Sequence, residues 1–243
     1  MNCLIIGGSS GLGRSLAEQL AKKNSNVFLV SSDKLDLEAV TNDLKIRYNV
    51  KVGYLQLDLR EFDVNTFMKN LNQKFGEIDN LFFVAGLGDD DDIGAVNHKT
   101  AKNLIKVNFM SGIRIINAFL PTLMAKNTSN IVAIGSVVSV RGRNKNIIYG
   151  ASKRGLEFYF EALRHRLENE NCKVQFYRVG FMSTSMLGNR KTFLPVSNPD
   201  DVATNILTNL NKNQGMKFIP FWWWYISWVL SKLPWNIFKK IHV

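Results

Sequence analysis

Tyr149 and Lys153 are the residues of this 243-residue chain whose types and spacing point most directly to chemistry. They lie four positions apart, and the apolar spacing around them predicts a helix over residues 147–167. Residues four apart on a helix share one face, so the phenol and the ammonium would be neighbours. A nearby cation lowers the pKa of a phenol towards the range in which it exchanges a proton at neutral pH. The pair therefore predicts a proton-transfer site.

A glycine-rich turn near the start of the chain indicates a phosphate-binding element. The run Asn2 to Ile6 predicts a strand, Gly7 to Gly13 a turn, and residues 14–21 the helix that follows. Glycines allow a backbone close to a pyrophosphate, and the first turn of a helix offers unpaired N–H groups and the positive end of its dipole. A later apolar run, Ile131 to Ile134, leads to Ser136, thirteen residues before Tyr149.

The same turn permits a second interpretation. Beginning at Gly8, the residues Gly-Ser-Ser-Gly-Leu-Gly-Arg-Ser nearly match a nucleoside-triphosphate P-loop, with Arg14 in place of its lysine. No later apolar strand ends in a clear magnesium-binding aspartate, and a P-loop would leave Tyr149 and Lys153 without a role. A dinucleotide-binding turn is therefore favoured.

The glycine turn, Ser136 and the Tyr149-x-x-x-Lys153 pair, in this order, resemble the classical short-chain dehydrogenase/reductase family. The resemblance covers residues 2 to about 210 and includes Asn108, forty-one residues before Tyr149. It implies an enzyme that interconverts a ketone or aldehyde and an alcohol with NAD(P)H. Tyr149 would protonate the carbonyl oxygen, and Ser136 would orient the carbonyl group. Lys153 would lower the pKa of Tyr149 and hold the nicotinamide ribose, while Asn108 would hold a water that links the lysine to solvent.

The resemblance also implies the residues that contact the cofactor. Asp58 and Leu59 would lie beside the adenine ring, and Thr184 would bond the nicotinamide carboxamide. The full set predicted to bind the dinucleotide is Gly7, Ser9, Ser10, Gly11, Leu12, Gly13, Ser32, Asp33, Asp58, Leu59, Ala85, Gly86, Tyr149, Lys153, Gly180 and Thr184. The chain departs from the family pattern where Phe83-Val84 replaces an Asn-Asn pair and where Val179 replaces a proline.

The end of the second predicted strand bears on the choice between NADH and NADPH. Dinucleotide folds place there the residue that touches the adenosine ribose, and the candidates are Ser32 and Asp33. Ser32 is neutral and would not repel a 2′-phosphate, while Arg14 and Lys34 are close enough in sequence to favour one. Asp33 could equally bond the ribose of NADH. We therefore expect NADP(H) by a narrow margin over NAD(H).

Alternating strand and helix patterns predict an α/β fold, a Rossmann-like doubly wound parallel sheet with helices on both faces. The resemblance implies the strand order 3-2-1-4-5-6-7. Residues 1–215 would form a single dinucleotide-binding catalytic domain, and residues 216–243 would add the last strand and a tail. A helical pattern over residues 101–125 places Asn108 inside one long helix. Asp58 also fits as the cap of a helix beginning at Glu61.

Four successive aspartates, Asp89 to Asp92, follow the fourth predicted strand. A metal site would need further ligands, and neither the scattered histidines nor Cys3 and Cys172 have the required spacing. We therefore expect a solvated loop and no metal. The cysteine pattern indicates a reduced, cytoplasmic setting.

The segment from Phe218 to the C-terminus combines aromatic and basic residues. The chain has a net charge of +11 and no acidic residue after Asp201. Lys232 and Pro234 interrupt the apolar part, which is too short to cross a bilayer, since about 20 residues are needed. Because it is apolar nearly all round, it must be buried. The alternatives are the interface of an anionic membrane, which would make the protein peripheral on the inner face, and packing within the protein or a partner subunit.

The substrate is suggested only by a further resemblance. A Gly-Leu-Gly-Asp sequence beginning at Gly86, together with the basic aromatic tail, is similar to the ketoreductase partner of the bacterial decaprenylphosphoryl-ribose epimerase. This similarity suggests a lipid or a lipid-linked sugar as the carbonyl or alcohol substrate. The family resemblance also implies a homodimer or homotetramer.

Two other classes of function can be compared with an enzyme. A dinucleotide-binding scaffold or regulator at a membrane would not need Asn108, Ser136, Tyr149 and Lys153 together, although the altered Phe83-Val84 keeps this alternative open. Nucleic-acid binding, which the positive charge allows, lacks a recognition motif, and the aromatic residues cluster in one tail instead of alternating with arginine. We therefore expect a small-molecule enzyme and no nucleic-acid partner.

Overall fold

The chain folds as strands and helices that alternate around one sheet. The computed structural model describes residues 1–93, 95–188, 192 and 194–241. The strands are β1 (Asn2–Ile6), β2 (Asn26–Ser31), β3 (Val52–Gln56), β4 (Asn80–Phe83), β5 (Ser129–Ser136), β6 (Cys172–Val179) and β7 (Met216–Ile219). They pair in parallel in the order β3-β2-β1-β4-β5-β6-β7, which confirms the predicted fold class and strand order.

Helices cover both faces of this sheet. They are α1 (Gly11–Lys22), α2 (Lys34–Arg47), α3 (Val64–Lys74), α4 (His98–Ile105), α5 (Ser111–Met124), α6 (Ile147–Arg166), α7 (Pro199–Thr208), α8 (Trp223–Lys232) and α9 (Trp235–Phe238). Leu16, Leu37 and Ile206 from α1, α2 and α7 belong to the core on one face. Phe67, Ile115, Leu156 and their neighbours on α3, α5 and α6 fill the other. Burial on both faces explains why the strands read as continuous apolar runs.

The sheet order creates a crevice at the carboxyl ends of the central strands. β1 pairs with β2 on one side and with β4 on the other. The strands that directly follow β1 are therefore added on one side of it, and the strands from β4 onwards are added on the other side. The connections after β1 and β4 therefore diverge to opposite faces. In open α/β sheets, ligands bind at such a topological switch point.

The helical region around Asn108 differs from the single helix predicted over residues 101–125. Lys106–Met110 forms a π-helical segment between α4 and α5. A π segment widens one turn and is frequent at functional sites. Asn108 lies inside this turn and is fully buried, so its side chain faces the protein and not the solvent.

The helix after β3 begins later than predicted. α3 starts at Val64, and Asp63 is its cap, since the Asp63 carboxylate accepts a hydrogen bond of 2.7 Å from the Thr66 amide. The interpretation of Asp58 as the cap of a helix starting at Glu61 is therefore wrong. The carboxylate of Asp58 has a different partner, described below.

One side of the C-terminal segment packs on the domain. The indole of Trp223 is buried against Gly180, where an added Cβ would lie 1.9 Å from the Trp223 Nε1. Arg141 holds the end of α8, because its guanidinium donates to the Leu230 and Leu233 carbonyls and lies 3.9 Å from the Phe238 ring centroid. The prediction of packing within the protein is thus correct for this side.

The other side of the same segment is exposed, which corrects the expectation that the tail is buried all round. Its large apolar residues are between 48% and 74% exposed, namely Phe221, Trp224, Tyr225, Trp228, Val229, Trp235 and Ile237. We call these seven residues the aromatic face. In the described part of the chain, the helices are too short or too polar to span a lipid bilayer. Residues 242 and 243 of the predicted tail lie outside the described residues.

A buried carboxylate ties α6 to the sheet. Glu157 is 1% exposed. Its two oxygens accept hydrogen bonds from Arg178 on β6 at 2.8 and 2.9 Å, and one also accepts from Ser139 at 3.0 Å. Arg154, one turn away on α6, completes the ion pair from the solvent side. A buried charge with this many partners fixes the position of the helix that carries Tyr149 and Lys153.

Replacement of Glu157 by Gln should destabilise the fold strongly. The substitution leaves the largely buried Arg178 guanidinium without a counter-charge, which we expect to lower the free energy of unfolding by about 3 kcal/mol. Urea unfolding followed by circular dichroism measures this change. Glu161→Gln, at an exposed position on the same helix, is the control and should change stability by less than about 0.5 kcal/mol. Equal effects of the two substitutions would contradict the structural role of Glu157.

Candidate active site

A cleft of about 500 Å³ lies at the carboxyl ends of the central strands. It brings together most of the residues predicted to act on substrate or cofactor. Those that line it are Gly7, Ser9, Ser10, Gly11, Leu12, Gly13, Ser32, Asp58, Leu59, Ala85, Gly86, Ser136, Tyr149, Lys153, Gly180 and Thr184. Two predicted residues, Asp33 and Asn108, lie outside its lining.

The glycine turn after β1 forms one wall of the cleft with bare backbone. Gly7 has a φ of +91°, and an added Cβ would lie 2.7 Å from the Ala85 nitrogen. At Gly13, a Cβ would come within 1.9 Å of the Gly7 carbonyl oxygen. The helix α1 begins here, and the side chain of its N-cap residue, Ser10, accepts no hydrogen bond from it. The turn therefore presents helix N–H groups to an anion in the cleft.

The next part of the cleft lies beside the ends of β2 and β3. Asp58 lines it, and its carboxylate is paired with Arg60 through side-chain contacts of 2.6 and 2.9 Å. These hydrogen bonds hold the pKa of the Asp58 carboxyl below its usual range. Arg60 also lines the cleft, although sequence analysis did not single it out. The signal was its place directly after the Asp58-Leu59 pair.

The structure places the other charged candidates of this region elsewhere. Asp33 caps α2, since its carboxylate accepts a 3.0 Å hydrogen bond from the Asp36 amide. Arg14 is exposed on α1 and does not line the cleft, and Lys34 lies 3.7 Å from Glu38 on the surface of α2. These positions correct the prediction that Asp33, Arg14 or Lys34 lies where the adenosine ribose of the cofactor would bind. Ser32 and Arg60, in contrast, line the cleft.

Lys153 is buried, with 3% of its surface exposed. Its ammonium donates hydrogen bonds to the Ile134 carbonyl at 3.1 Å and to the Ala85 carbonyl at 3.3 Å. These acceptors belong to β5 and to the residues directly after β4, so the lysine joins two strand ends. Burial lowers the pKa of Lys153 to about 8, because a low-dielectric setting disfavours the charged form.

Tyr149 lies in the first turn of α6, half-buried at the wall of the cleft. Burial raises the pKa of its phenol, while a hydrogen bond with Ser136 and the charge of Arg143 act in the opposite direction. The Lys153 ammonium is 6.0 Å from the centroid of the Tyr149 ring. This differs from the expectation that Lys153 lowers the pKa of Tyr149. Desolvation dominates, and the opposing charge comes from Arg143.

The loop of four aspartates has a structural role that the sequence did not reveal. Asp92 is buried, and its carboxylate accepts hydrogen bonds from the backbone amides of Ile148 at 3.0 Å and Tyr149 at 2.8 Å. From a distant loop, Asp92 thereby gives hydrogen-bond acceptors to backbone N–H groups in the first turn of α6, which have no partner within the helix. The expected solvated loop is thus wrong for Asp92. Across the described residues, His, Cys, Asp and Glu side chains do not gather into a group of three that could hold a metal.

Asn108 does not line the cleft but fixes a stretch of backbone beside it. Its side-chain amide donates to the Leu87 carbonyl at 2.8 Å, and its side-chain oxygen accepts from the Leu87 amide at 2.7 Å. These two bonds fix the backbone directly after Ala85 and Gly86, where the Ala85 carbonyl binds Lys153. Asn108 therefore positions a strand end that the cleft depends on.

Comparison with known proteins agrees with this geometry. Residues 2–194 match the family described as short chain dehydrogenase. Carbonyl reductase family member 4 of Xenopus laevis is 26% identical over 213 residues, which are 84% of this chain and 89% of that protein. The 3-oxoacyl-acyl-carrier-protein reductase FabG of Buchnera aphidicola is 29% identical over 192 residues, covering 78% and 77% of the two chains.

A solved structure extends the agreement to three dimensions. The short-chain dehydrogenase from Sphingobium yanoikuyae in complex with NADPH has a TM-score of 0.82 to this chain, at 25% identity and with 96% of both chains covered. The chain therefore belongs to the short-chain dehydrogenase family and is an NAD(P)-dependent oxidoreductase. Membership of this family rejects the P-loop interpretation of the glycine turn.

The cleft fits a nicotinamide dinucleotide. The close approach of Gly7, Gly13 and Ala85 leaves room for a pyrophosphate against bare backbone, and the N–H groups at the start of α1 are suitable donors to it. Lys153 also lines the cleft, with its ammonium 6.0 Å from the centroid of the Tyr149 ring. Hydride transfer is the chemistry that such a cofactor supplies when bound.

The affinity for NADPH should fall as the pH rises through about 8. The low pKa of Lys153 means that its positive charge is lost in this range, whereas binding of an anionic dinucleotide favours the protonated lysine. Loss of one proton weakens binding by up to about tenfold between pH 7 and 9. Fluorescence titration of NADPH at several pH values measures the effect. Lys153→Met is the control and should bind with a flat pH profile; an unchanged slope in that variant would contradict the assignment.

Proposed function

We propose that this enzyme reduces a ketone or aldehyde to an alcohol with NAD(P)H, with Tyr149 as the proton donor. The convergence of Ser136, Tyr149 and Lys153 at one end of the cleft carries this proposal. The hydroxyl of Ser136 bonds the substrate carbonyl and orients it, and the Tyr149 phenol gives its proton to the carbonyl oxygen. Lys153 binds the nicotinamide ribose and adds positive charge. The protein contributes by positioning the substrate carbonyl and by stabilising the charge that develops during the transfer.

The environment of Tyr149 supports the direction of reduction. Burial raises the pKa of the phenol, so the group keeps its proton at neutral pH and is ready to act as an acid. The hydrogen bond with Ser136 stabilises the tyrosinate that remains after the transfer. Asn108 acts by holding the Leu87 backbone, and through it the carbonyl that binds Lys153.

Preference for NADP(H) over NAD(H) is the second part of the proposal. Ser32 is neutral and lines the cleft, where it would not repel a 2′-phosphate. The one acidic side chain among the described lining residues, Asp58, is already neutralised by Arg60. A 2′-phosphate would therefore meet no uncompensated negative charge.

Replacement of Tyr149 by Phe should abolish turnover and leave cofactor binding nearly unchanged. The substitution removes the acidic hydroxyl and keeps the ring, so we expect at least a hundredfold loss of kcat, as for other lost general acids. Loss of NADPH absorbance with a panel of ketones and aldehydes measures turnover. Energy transfer from tryptophan to bound nicotinamide measures the dissociation constants of NADPH and NADH.

Tyr159→Phe is a matched control, because Tyr159 lies on the same helix and bonds Asn117 outside the cleft. It should keep full turnover. Full activity of the Tyr149→Phe variant would sink the assignment of the proton donor, and tighter binding of NADH than of NADPH would overturn the cofactor preference. Saturable NADPH binding by a wild-type protein that reduces none of the panel would favour the scaffold alternative.

We further propose that the aromatic face binds an anionic membrane surface and that the substrate is a lipid or a lipid-linked molecule. Six of the seven residues of this face are exposed on α8 and α9, and Phe221 is exposed just before α8. The exposed Lys232, Lys239 and Lys240 belong to the same segment. Aromatic side chains next to lysines, without acids, suit the interface of a bilayer. The buried side of the same segment contacts Gly180, which lines the cleft. A lipid at the membrane would thus lie near the site.

Vesicle binding tests this surface. Purified protein should co-sediment with phosphatidylglycerol vesicles and much less with phosphatidylcholine vesicles, and the double variant Trp224→Ser/Trp228→Ser should lose at least tenfold in affinity. Phe158→Ser removes an exposed aromatic residue from α6, outside the tail, and should bind like the wild type. If the double variant binds vesicles normally, or instead converts a dimer into a monomer in gel filtration, the membrane proposal is wrong.

A further inference from the structure

Arg143 is a cleft residue whose charge has no ion-pair partner among the residues that the structure describes. It lines the cleft in the loop that joins β5 to α6. Its Nε atom is buried and makes no hydrogen bond, and the guanidinium forms no ion pair with any other described residue. Burial lowers its pKa, which reflects the cost of holding this charge without compensation.

The other cations of the cleft are already engaged. In the described lining, the basic side chains are Arg60, Arg143 and Lys153. Arg60 is paired with Asp58, and Lys153 donates to two backbone carbonyls. Arg143 is thus the cation with capacity left for a ligand. An arginine fork with free donors is suited to carboxylate or phosphate groups, which it binds in a bidentate manner.

The position of Arg143 is set from both sides of its loop. Two residues before it, Arg141 is bonded to the end of α8. Three residues after it, Asn146 lines the cleft with a φ of +54° and leads directly into α6. Exposed Lys145, in contrast, does not line the cleft. The loop therefore presents one of its cations, Arg143, to the interior of the cleft.

Arg143 lies at the reacting end of the cleft. Its charge acts on the Tyr149 phenol, and the lining at this end includes Ser136 and Val138. The glycine turn and the start of α1 supply donors for the cofactor pyrophosphate from another wall. The carboxylate of Asp92, which bonds the first turn of α6, is occupied by the Ile148 and Tyr149 amides.

We propose that Arg143 is a specificity-determining residue that binds a carboxylate or phosphate group of the carbonyl substrate. This rests on the proposed reduction at Tyr149 and names the class of substrate that it acts on, a carbonyl compound with an anionic group. The ion pair orients the carbonyl towards Ser136 and Tyr149. A neutral carbonyl compound leaves the half-buried guanidinium without a partner and is a poorer substrate.

Matched pairs of ketones test this selectivity. The probes are 4-oxopentanoate and 4-acetylbenzoate, each with its methyl ester, and 4-acetylphenyl phosphate with 4-methoxyacetophenone. With the wild type and saturating NADPH, kcat/KM should be roughly tenfold to a hundredfold higher for at least one of the three anions than for its own neutral partner. This is the difference expected for a charge-assisted contact. In Arg143→Met this preference should disappear, mainly through a higher KM for the anions, and kcat/KM should fall less for each neutral partner than for its anion. Arg143→Lys should retain part of the preference.

Lys145→Met removes a positive charge from the same loop outside the cleft and should keep the full preference. Dissociation constants of the ketones test the same preference without turnover. Tyr149→Phe saturated with NADPH should bind each anion more tightly than its neutral partner. The double variant Tyr149→Phe/Arg143→Met should bind the two equally.

Three results would overturn the proposal. The first is the absence of any preference for anions in both kinetics and binding. The second is an equal loss of kcat/KM for anionic and neutral ketones in Arg143→Met, which would mean that Arg143 acts only through Tyr149 and does not bind the anionic group. The third is weaker NADPH binding in Arg143→Met with the preference intact, which would assign Arg143 to the cofactor. Reduction of the neutral ketones by the wild type would in each case leave the proposed function standing.

Discussion

A buried ammonium between two strand ends is the interaction on which the site depends. Lys153 on α6 reaches under the cleft and bonds the carbonyls of Ala85 and Ile134. Because the group is almost fully buried, its charge is tolerated only while those two acceptors stay in place. The helix and the ends of β4 and β5 therefore keep one relative arrangement. That arrangement sets Tyr149, one turn earlier on the same helix, beside Ser136 at the end of β5.

Several other buried polar contacts hold α6 and the neighbouring backbone in this arrangement. Asp92 bonds the first amides of α6, and Glu157 ties the middle of the helix to Arg178 on β6. Asn108, from its π-helical turn, holds the backbone after Ala85. Each group is buried and fully engaged, so a shift of the helix would leave charged or polar atoms without partners. The reacting end of the cleft is rigid because it is surrounded by such contacts.

The C-terminal segment links the site to the surface. Trp223 packs on Gly180 at the wall of the cleft, and Arg141 bonds the end of α8 from the loop that also carries Arg143. The opposite side of α8 and α9 carries the aromatic face. One side of this segment therefore completes the domain, and the other side is exposed.

Most of the fold and the centre of the site could be predicted from sequence because their signals are local. Apolar runs indicate the strands, a cluster of glycines indicates the turn, and a spacing of four places Tyr149 and Lys153 on one helix face. Contacts between distant segments carry no such signal. Asp92 caps a helix that begins more than fifty residues later, and it looked like a solvated charge. Asp33 looked like a ribose ligand, but its carboxylate is used by the helix that follows it.

The sequence by itself thus determined the order of strands and helices, the glycine turn and the placement of Tyr149 and Lys153 on one helix, since periodicity and spacing act within a few residues. Only the tertiary structure decided which charges face the cleft and which side of the tail is buried. Arg60 and Arg143 line the cleft while Arg14 and Lys34 do not, and nothing in the residue types separates these two pairs. The physical reason is that the environment of a charge, its burial and its partners, is created by segments far apart in the chain.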